Sequence, residues 1–224
     1  MCLTSTDFSE QFQSGSVSGF GFGLLGYKIK QLVMNKMEQQ TLPLSGEGRY
    51  LTSLYVSGKE APQEEIKEKI RAALKLLTFL EQHVLVQFWS PCVVGKHQIL
   101  TTLDQPFGLG VASEELCFYR RSSEPDAFPV DKDNEEIEEC TSPPARVYRQ
   151  ELPEWTFDIT NYKSKDFPKQ DLAIRCNLRG YMALPVFDIA RKSCLGVLEL
   201  LVSSKHMNYV HVVKQVHSAL KVSI

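Results

Sequence analysis

Apolar residues recur at helical spacing from Ile66 through Ile70, Ala73 and Leu74 to Leu77, which predicts a helix from Pro62 to about Gln82. Pro62 suits a first-turn position, and Glu64 and Glu65 fall at the positive end of the helix dipole. The period then changes. Val84 to Pro91 and Gln98 to Leu103 are dense in apolar, aromatic and β-branched residues, so they predict two adjacent strands joined by a short Gly-containing loop, the first of them central. A helical turn follows over Ser113 to Arg121, its apolar side carrying Leu116 and either Tyr119 or Phe118. Between Ser122 and Pro144 periodicity disappears. Beyond it the pattern predicts a short helix over Ala145 to Gln150, a strand over Trp155 to Ile159 and a helix over Lys169 to Asn177. Tyr181 to Phe187 and Cys194 to Leu201 are apolar at nearly every position, which predicts an antiparallel hairpin covered on both faces. A last helix from about Tyr209 to Lys221 gathers Val212, Val213, Val216, Ala219 and Leu220 on one side.

The chain divides near residue 60. Gln11 to Gly23 is Ser-, Gly- and Gln-rich, a composition too poor in apolar surface to offset the entropy of ordering, so residues 1–60 read as a flexible segment with a short helix over Tyr27 to Met37. Gly21-Phe22-Gly23-Leu24-Leu25-Gly26 matches the dinucleotide fingerprint literally. It has no buried strand before it and no acidic residue about 20 positions on, and reads as a flexible lead. Residues 61–224 then form one domain.

The formal net charge of −2 over 224 residues offers no concentrated basic face for nucleic acid. No apolar stretch approaches the ~20 residues of a membrane span, and the N-terminus lacks a secretory signal pattern, so nucleus or cytoplasm is the expected compartment. Six cysteines, Cys2, Cys92, Cys117, Cys140, Cys176 and Cys194, are scattered without a Cys-x-x-Cys pair and read as reduced thiols. The histidines show no zinc spacing, and no cofactor is implied. The acidic run from Asp131 to Glu139 lacks the fixed Gly and alternating ligands of an EF-hand and reads as a solvated loop.

Helix, two strands, an irregular middle, two strands and a helix describe an α+β fold: an antiparallel sheet flanked by helices, the layout of GAF and PAS sensory modules. Within it, Ile70-Arg71-Ala72-Ala73-Leu74, Gln87-Phe88-Trp89-Ser90-Pro91 and Leu100 to Phe107 are ordered matches to a known family. Tyr119-Arg120 with Ser123, Arg146-Val147-Tyr148-Arg149, Leu152-Pro153-Glu154-Trp155-Thr156, Arg179 to Phe187 and Cys194 to Glu199 continue the series. Over these residues the chain resembles the GAF-like N-terminal region of plant NIN-like proteins, nitrate-responsive transcription factors. It departs from them at Ala145, where the family has Gly, and at Phe157, where it has Pro. The resemblance implies a regulatory domain without the RWP-RK and PB1 domains that follow in full-length members. Direct DNA binding by these residues is not expected.

A nitrate pocket would need a guanidinium or imidazolium donor and an aromatic or apolar wall. Arg179 at the start of a buried strand, His97 at the start of another and Trp89 are the candidates for such an anion site. The plainer readings are Trp89 as core, His97 as a strand-end surface residue, and Arg179 as partner of a carboxylate such as Glu199. Arg120-Arg121-Ser122-Ser123 offers a basophilic kinase an Arg three residues before Ser123, and the family is thought to be controlled by phosphorylation near this motif. As an enzyme the chain is unpromising: it has no Gly-x-Ser-x-Gly elbow, no P-loop and no metal motif, and no spacing brings Cys92, Cys117 and Cys140 together. The remaining alternative is a ligand-free module that dimerises through its first and last helices or binds full-length relatives.

Overall fold

The computed structural model describes residues 54–56, 63–77, 83–131, 142–188, 193–205 and 208–222. In chain order its elements are β1 (Leu54–Val56), α1 (Gln63–Lys75), β2 (Val84–Val94), β3 (His97–Thr101), β4 (Phe107–Leu109), α2 (Glu114–Ser123) and β5 (Ala127–Pro129). They continue with α3 (Pro143–Gln150), β6 (Glu154–Thr156), a 3-10 turn (Ile159–Asn161), α4 (Gln170–Arg175), β7 (Gly180–Asp188), β8 (Cys194–Val202) and α5 (Tyr209–Val222). The strands form one sheet in the order β1-β7-β8-β2-β3-β5, with β4 also on β2 and β6 also on β7. All pairings are antiparallel except β1 with β7.

Because side chains alternate along a strand, the sheet separates two cores. Val84, Val86 and Phe88 of β2, Met182, Leu184 and Val186 of β7, and Leu198, Leu200 and Val202 of β8 face α1 and α5. There they meet Ile70, Ala73 and Leu74 from one helix and Val212, Val213, Val216, Ala219 and Leu220 from the other. The opposite face carries Leu85, Trp89, Tyr181, Ala183, Val197 and Leu201, which pack under α2, α3 and α4. The near-continuous apolar reading of β7 and β8 thus has its cause in helices on both sides.

Boundaries differ where local chemistry competes with pattern. β2 runs on to Val94, since the hairpin turns only at Gly95, whose φ of 64° suits glycine. The span expected to be featureless contains β5, paired through Ile99, Leu100 and Thr101 of β3. The expected strand over Trp155 to Ile159 stops at Thr156, because Asp158 caps the 3-10 turn by accepting from the Thr160 amide. On α2 the buried pair is Leu116 and Tyr119, and Phe118 is exposed. Leu54–Val56, assigned by sequence to the flexible segment, pairs in parallel with Val186–Asp188 and so extends the sheet beyond the expected boundary at residue 60. The Gly21 motif, the helix over Tyr27 to Met37 and the acidic run after Asp131 lie outside the described residues. Among the described residues no helix is long and apolar enough to cross a membrane.

Candidate functional site

Under α2 and the N-terminus of α3 the second core leaves a cavity of about 30 Å³, lined by Trp89, Tyr119, Ser123, Asp126, Phe128, Ser142, Pro143, Pro144, Phe167, Pro168, Lys169 and Glu199. That exceeds what a single water requires and suits an occupant of a few heavy atoms at most. Its roof is fixed by α2. The Ser113 side chain caps the helix by accepting from the Leu116 amide, and the buried Arg120 guanidinium donates to Thr102 Oγ1 at 2.9 Å and to the Thr102 carbonyl at 2.8 Å. Arg120 also lies over the Phe107 ring, 4.8 Å from its centroid.

The floor is a buried carboxylate. Glu199 stands directly opposite Gln87 on β2 and Ala183 on β7, with Trp89 one diagonal step away. Its Oε2 accepts from Gln87 Nε2 at 2.6 Å and from Trp89 Nε1 at 2.7 Å. Burial raises its pKa, and the donors Gln87, Trp89 and Tyr181 oppose that shift. Tyr119 and Tyr181 are held well above the ordinary phenol value, first by burial and then by the Glu199 charge, so both keep their hydroxyl protons.

At the rim, Lys169 Nζ pairs with Asp126 Oδ2 at 2.6 Å and also donates to the Ser122 carbonyl. Burial raises the Asp126 pKa while Lys169 opposes the rise. Ser142 takes the N-cap position of α3 but caps nothing with its side chain. Pro143 and Pro144 have no N–H to offer the hydroxyl, and the Ala145 amide that remains in the first turn is not bonded by it either. Farther out, Arg146 grips Glu154 through Nε at 3.1 Å and Nη2 at 2.6 Å, and Tyr162 donates to the same carboxylate at 2.6 Å. The Arg-Val-Tyr-Arg and Glu-Trp-Thr motifs are therefore a clamp between α3 and β6.

The three anion-site candidates do not converge. Arg179 precedes Gly180, which is paired with Val202 and, through it, level with Val84; His97 pairs with Val94. Val84 to Val94 is about 33 Å of extended strand, with Trp89 midway. Trp89 is buried and lines the cavity. The His97 side chain is 67% exposed and sits beside Asp131 at 3.2 Å. Arg179 is half-buried; its amide donates to Val202 and its carbonyl accepts from Ile159. Glu199, considered as its partner, is bound instead by Trp89 and Gln87, because it lies three positions along β8 from Val202. Ser123 is 1% exposed at the end of α2, its Oγ donating to the Tyr119 carbonyl at 3.1 Å. Sequence reasoning missed Glu199, Ser142 and Lys169 as site residues. A lone acid in an otherwise apolar strand was the available signal.

A curled, mainly antiparallel sheet with terminal helices on one face and a small cavity on the other defines a GAF-like domain. The family described as NLP protein GAF domain matches residues 57–224. The chain is 41% identical over 157 residues to Protein NLP7 of Arabidopsis thaliana, covering 70% of this chain and 16% of that protein. Protein NLP3 of Oryza sativa subsp. japonica is 40% identical over 157 residues, 69% of this chain and 16% of its own. The chain thus spans about a sixth of the length of the curated relatives it matches. Among solved structures, the reduced form of fRMsr of Staphylococcus aureus aligns at 12% identity over 88% of this chain and 90% of that one, with a TM-score of 0.43. The chain belongs to the GAF domain family of NLP proteins.

Proposed function

We propose that this chain is a non-catalytic regulatory domain of a NIN-like transcription regulator, acting in nitrate-responsive control of transcription in the nucleus or cytoplasm without binding DNA itself. The observation that carries the reading is the NLP GAF family match over residues 57–224. The site's chemistry supports recognition over reaction. Glu199 is engaged by Trp89 and Gln87, the Ser123 hydroxyl by the Tyr119 carbonyl, and Asp126 by Lys169, so these three groups are each committed to a neighbour. Cys92, Cys117, Cys176 and Cys194 form no disulfide with one another, and among the described residues no group of three or more His, Cys, Asp or Glu could hold a metal. Nitrate is the signal of the regulated process, and phosphorylation of Ser123 by a protein kinase is a second input.

The test is a nitrate-responsive promoter reporter in plant cells, with a full-length NLP relative expressed alone or together with this chain. Co-expression is expected to change the nitrate-dependent part of the signal, while the chain alone drives none. An unchanged nitrate response at confirmed expression would sink the proposal.

The alternative, a ligand-free interaction module, draws support from the β2–β3 hairpin, where Val93 and Val94 are 74% and 57% exposed. The outward side of α1 favours it less, since Glu64, Glu65, Glu68 and Arg71 make that surface charged. Sedimentation of the chain separates the two, a dimer lost in Val93→Ser favouring the interaction module.

A further inference from the structure

We infer that the cavity between the sheet and α2 and α3 takes a small ammonium cation, held by the Glu199 carboxylate and the Ser142 hydroxyl against the aromatic faces of Trp89 and Phe128. The inference rests on reading this domain as a sensor and gives that sensor a ligand class.

Charge points to a cation first. The lining holds two carboxylates, Glu199 and Asp126, and one ammonium, Lys169. Lys169 is already neutralised by Asp126 at 2.6 Å. An entering anion would meet Glu199 with no unengaged positive partner, at a cost that grows in a dry site.

The helix end beside the cavity agrees. A helix N-terminus attracts anions through its free amides. Pro143 and Pro144 occupy the first two positions of α3 and have no N–H, so of the first-turn amides an anion would seek there only that of Ala145 remains. Ser142 before them makes no side-chain cap bond. Its residue is 3% exposed, its Oγ has no hydrogen-bond partner, and it lines the cavity. Buried hydroxyls are normally satisfied, so an orphan aimed into a cavity marks a place for a polar occupant.

The walls set the rest of the specificity. The Trp89 and Phe128 rings stand 5.2 Å apart at an interplanar angle of 38°, and Tyr119 and Phe167 line the same space. Aromatic faces attract cations, most strongly where water is excluded. A volume of about 30 Å³ suits ammonium or methylammonium better than a bulky amine such as choline.

The experiment is calorimetric titration of ammonium chloride and of methylammonium chloride into the full chain, with sodium chloride, choline chloride and sodium nitrate as controls. Glu199→Gln and Ser142→Ala are run beside the wild type, with circular dichroism to confirm the fold. Ser142→Ala removes a hydroxyl that bonds nothing in the protein, so it leaves the packing intact even where Glu199→Gln does not. Saturable heat from both ammonium salts is expected, with Kd raised about tenfold or more by Glu199→Gln and several-fold by Ser142→Ala. Absence of saturable heat in folded wild type, equal affinity in both variants, or saturation by nitrate instead would overturn the inference. A reporter response that survives a failed titration removes the ligand and leaves the regulatory function standing; a successful titration beside an unresponsive reporter does the reverse.

Discussion

The Trp89 indole donates to Glu199 Oε2 at 2.7 Å, tying β2 to β8 across the floor of the cavity. Two roles are thereby combined in Trp89, and they separate by substitution. Trp89→Phe keeps most of the apolar contact and removes one donor from a buried carboxylate, at an expected cost of about 1–3 kcal/mol. Trp89→Ala also opens a void and should cost about 3–5 kcal/mol. Urea midpoints distinguish them, and an unchanged midpoint in the alanine variant would refute the burial.

Glu199 should make stability depend on pH in a direction opposite to an ordinary salt-bridged acid. Burial raises its native pKa above the ordinary 4.5, so the native state holds a proton that the unfolded chain has released. In the window from about 4.5 up to the raised native value the unfolded state binds fewer protons, and stability falls as pH rises. Asp126 is shifted the same way and contributes the same sign. Glu199→Gln should flatten the fall. Unfolding free energies across that window would show it; superimposable slopes in the two proteins would count against Glu199 as the source.

Long elements with a clear period were legible: α1, β2, β7, β8 and α5 are each specified by apolar positions that face one core or two. The GAF-like arrangement follows from their order. Short strands such as β4 and β6, of three residues each, were read poorly because so few positions define no period. Their pairing with β2 and β7 comes from tertiary contacts. The anion candidates show the limit for sites. Arg179, Trp89 and His97 each have suitable chemistry, but register distributes them along the sheet, and register is set by pairings no single segment reveals. Ser142 was hidden for another reason: a serine before a helix reads as an ordinary cap, and only the folded chain shows its hydroxyl unbonded beside the cavity.

Two glycines offer a contrast in backbone constraint. Gly196 has φ of 154°, and a Cβ there would stand 2.3 Å from the Trp89 carbonyl oxygen and 2.5 Å from Phe88 Cζ. Gly95 at the hairpin tip has φ of 64° and open space around it. Gly95→Ala should therefore cost only about 1–2 kcal/mol, the left-handed penalty. Gly196→Ala adds a backbone clash in the central sheet and should cost at least about 3 kcal/mol. Thermal denaturation of the pair checks the order, which equal losses would contradict.

The Arg146–Glu154 clamp is worth testing as a unit. Its two parallel bonds and the Tyr162 hydroxyl make it stronger than an exposed ion pair, and both side chains are about one-fifth exposed. Arg146→Lys loses the fork but keeps the charge, with an expected loss of about 1–2 kcal/mol. A double-mutant cycle with Glu154→Gln should return a coupling of about 1 kcal/mol or more. A coupling near zero would make the motif ordinary surface.

Ser123 and the arginine that would recommend it to a kinase are both withdrawn from solvent. The Ser123 hydroxyl is bonded to Tyr119, its carbonyl accepts from Thr102 Oγ1 at 3.0 Å, and Arg120 spends its guanidinium on Thr102 and Gln105. A basophilic kinase reads an extended segment, so the last turn of α2 must open before Ser123 can react. Opening breaks the Arg120 contacts, and phosphate then adds about −1.5 to −2 charge where Asp126 and Glu199 already stand, which disfavours reclosing. Phosphorylation at Ser123 should therefore be at least about tenfold slower in the folded chain than in a peptide spanning residues 113–130. Arg120→Lys, which loosens the anchor, should narrow the gap. Mass-spectrometric rates at Ser123 decide the matter, with Ser122 as internal reference. Equal rates in peptide and folded chain would mean that burial does not gate the modification.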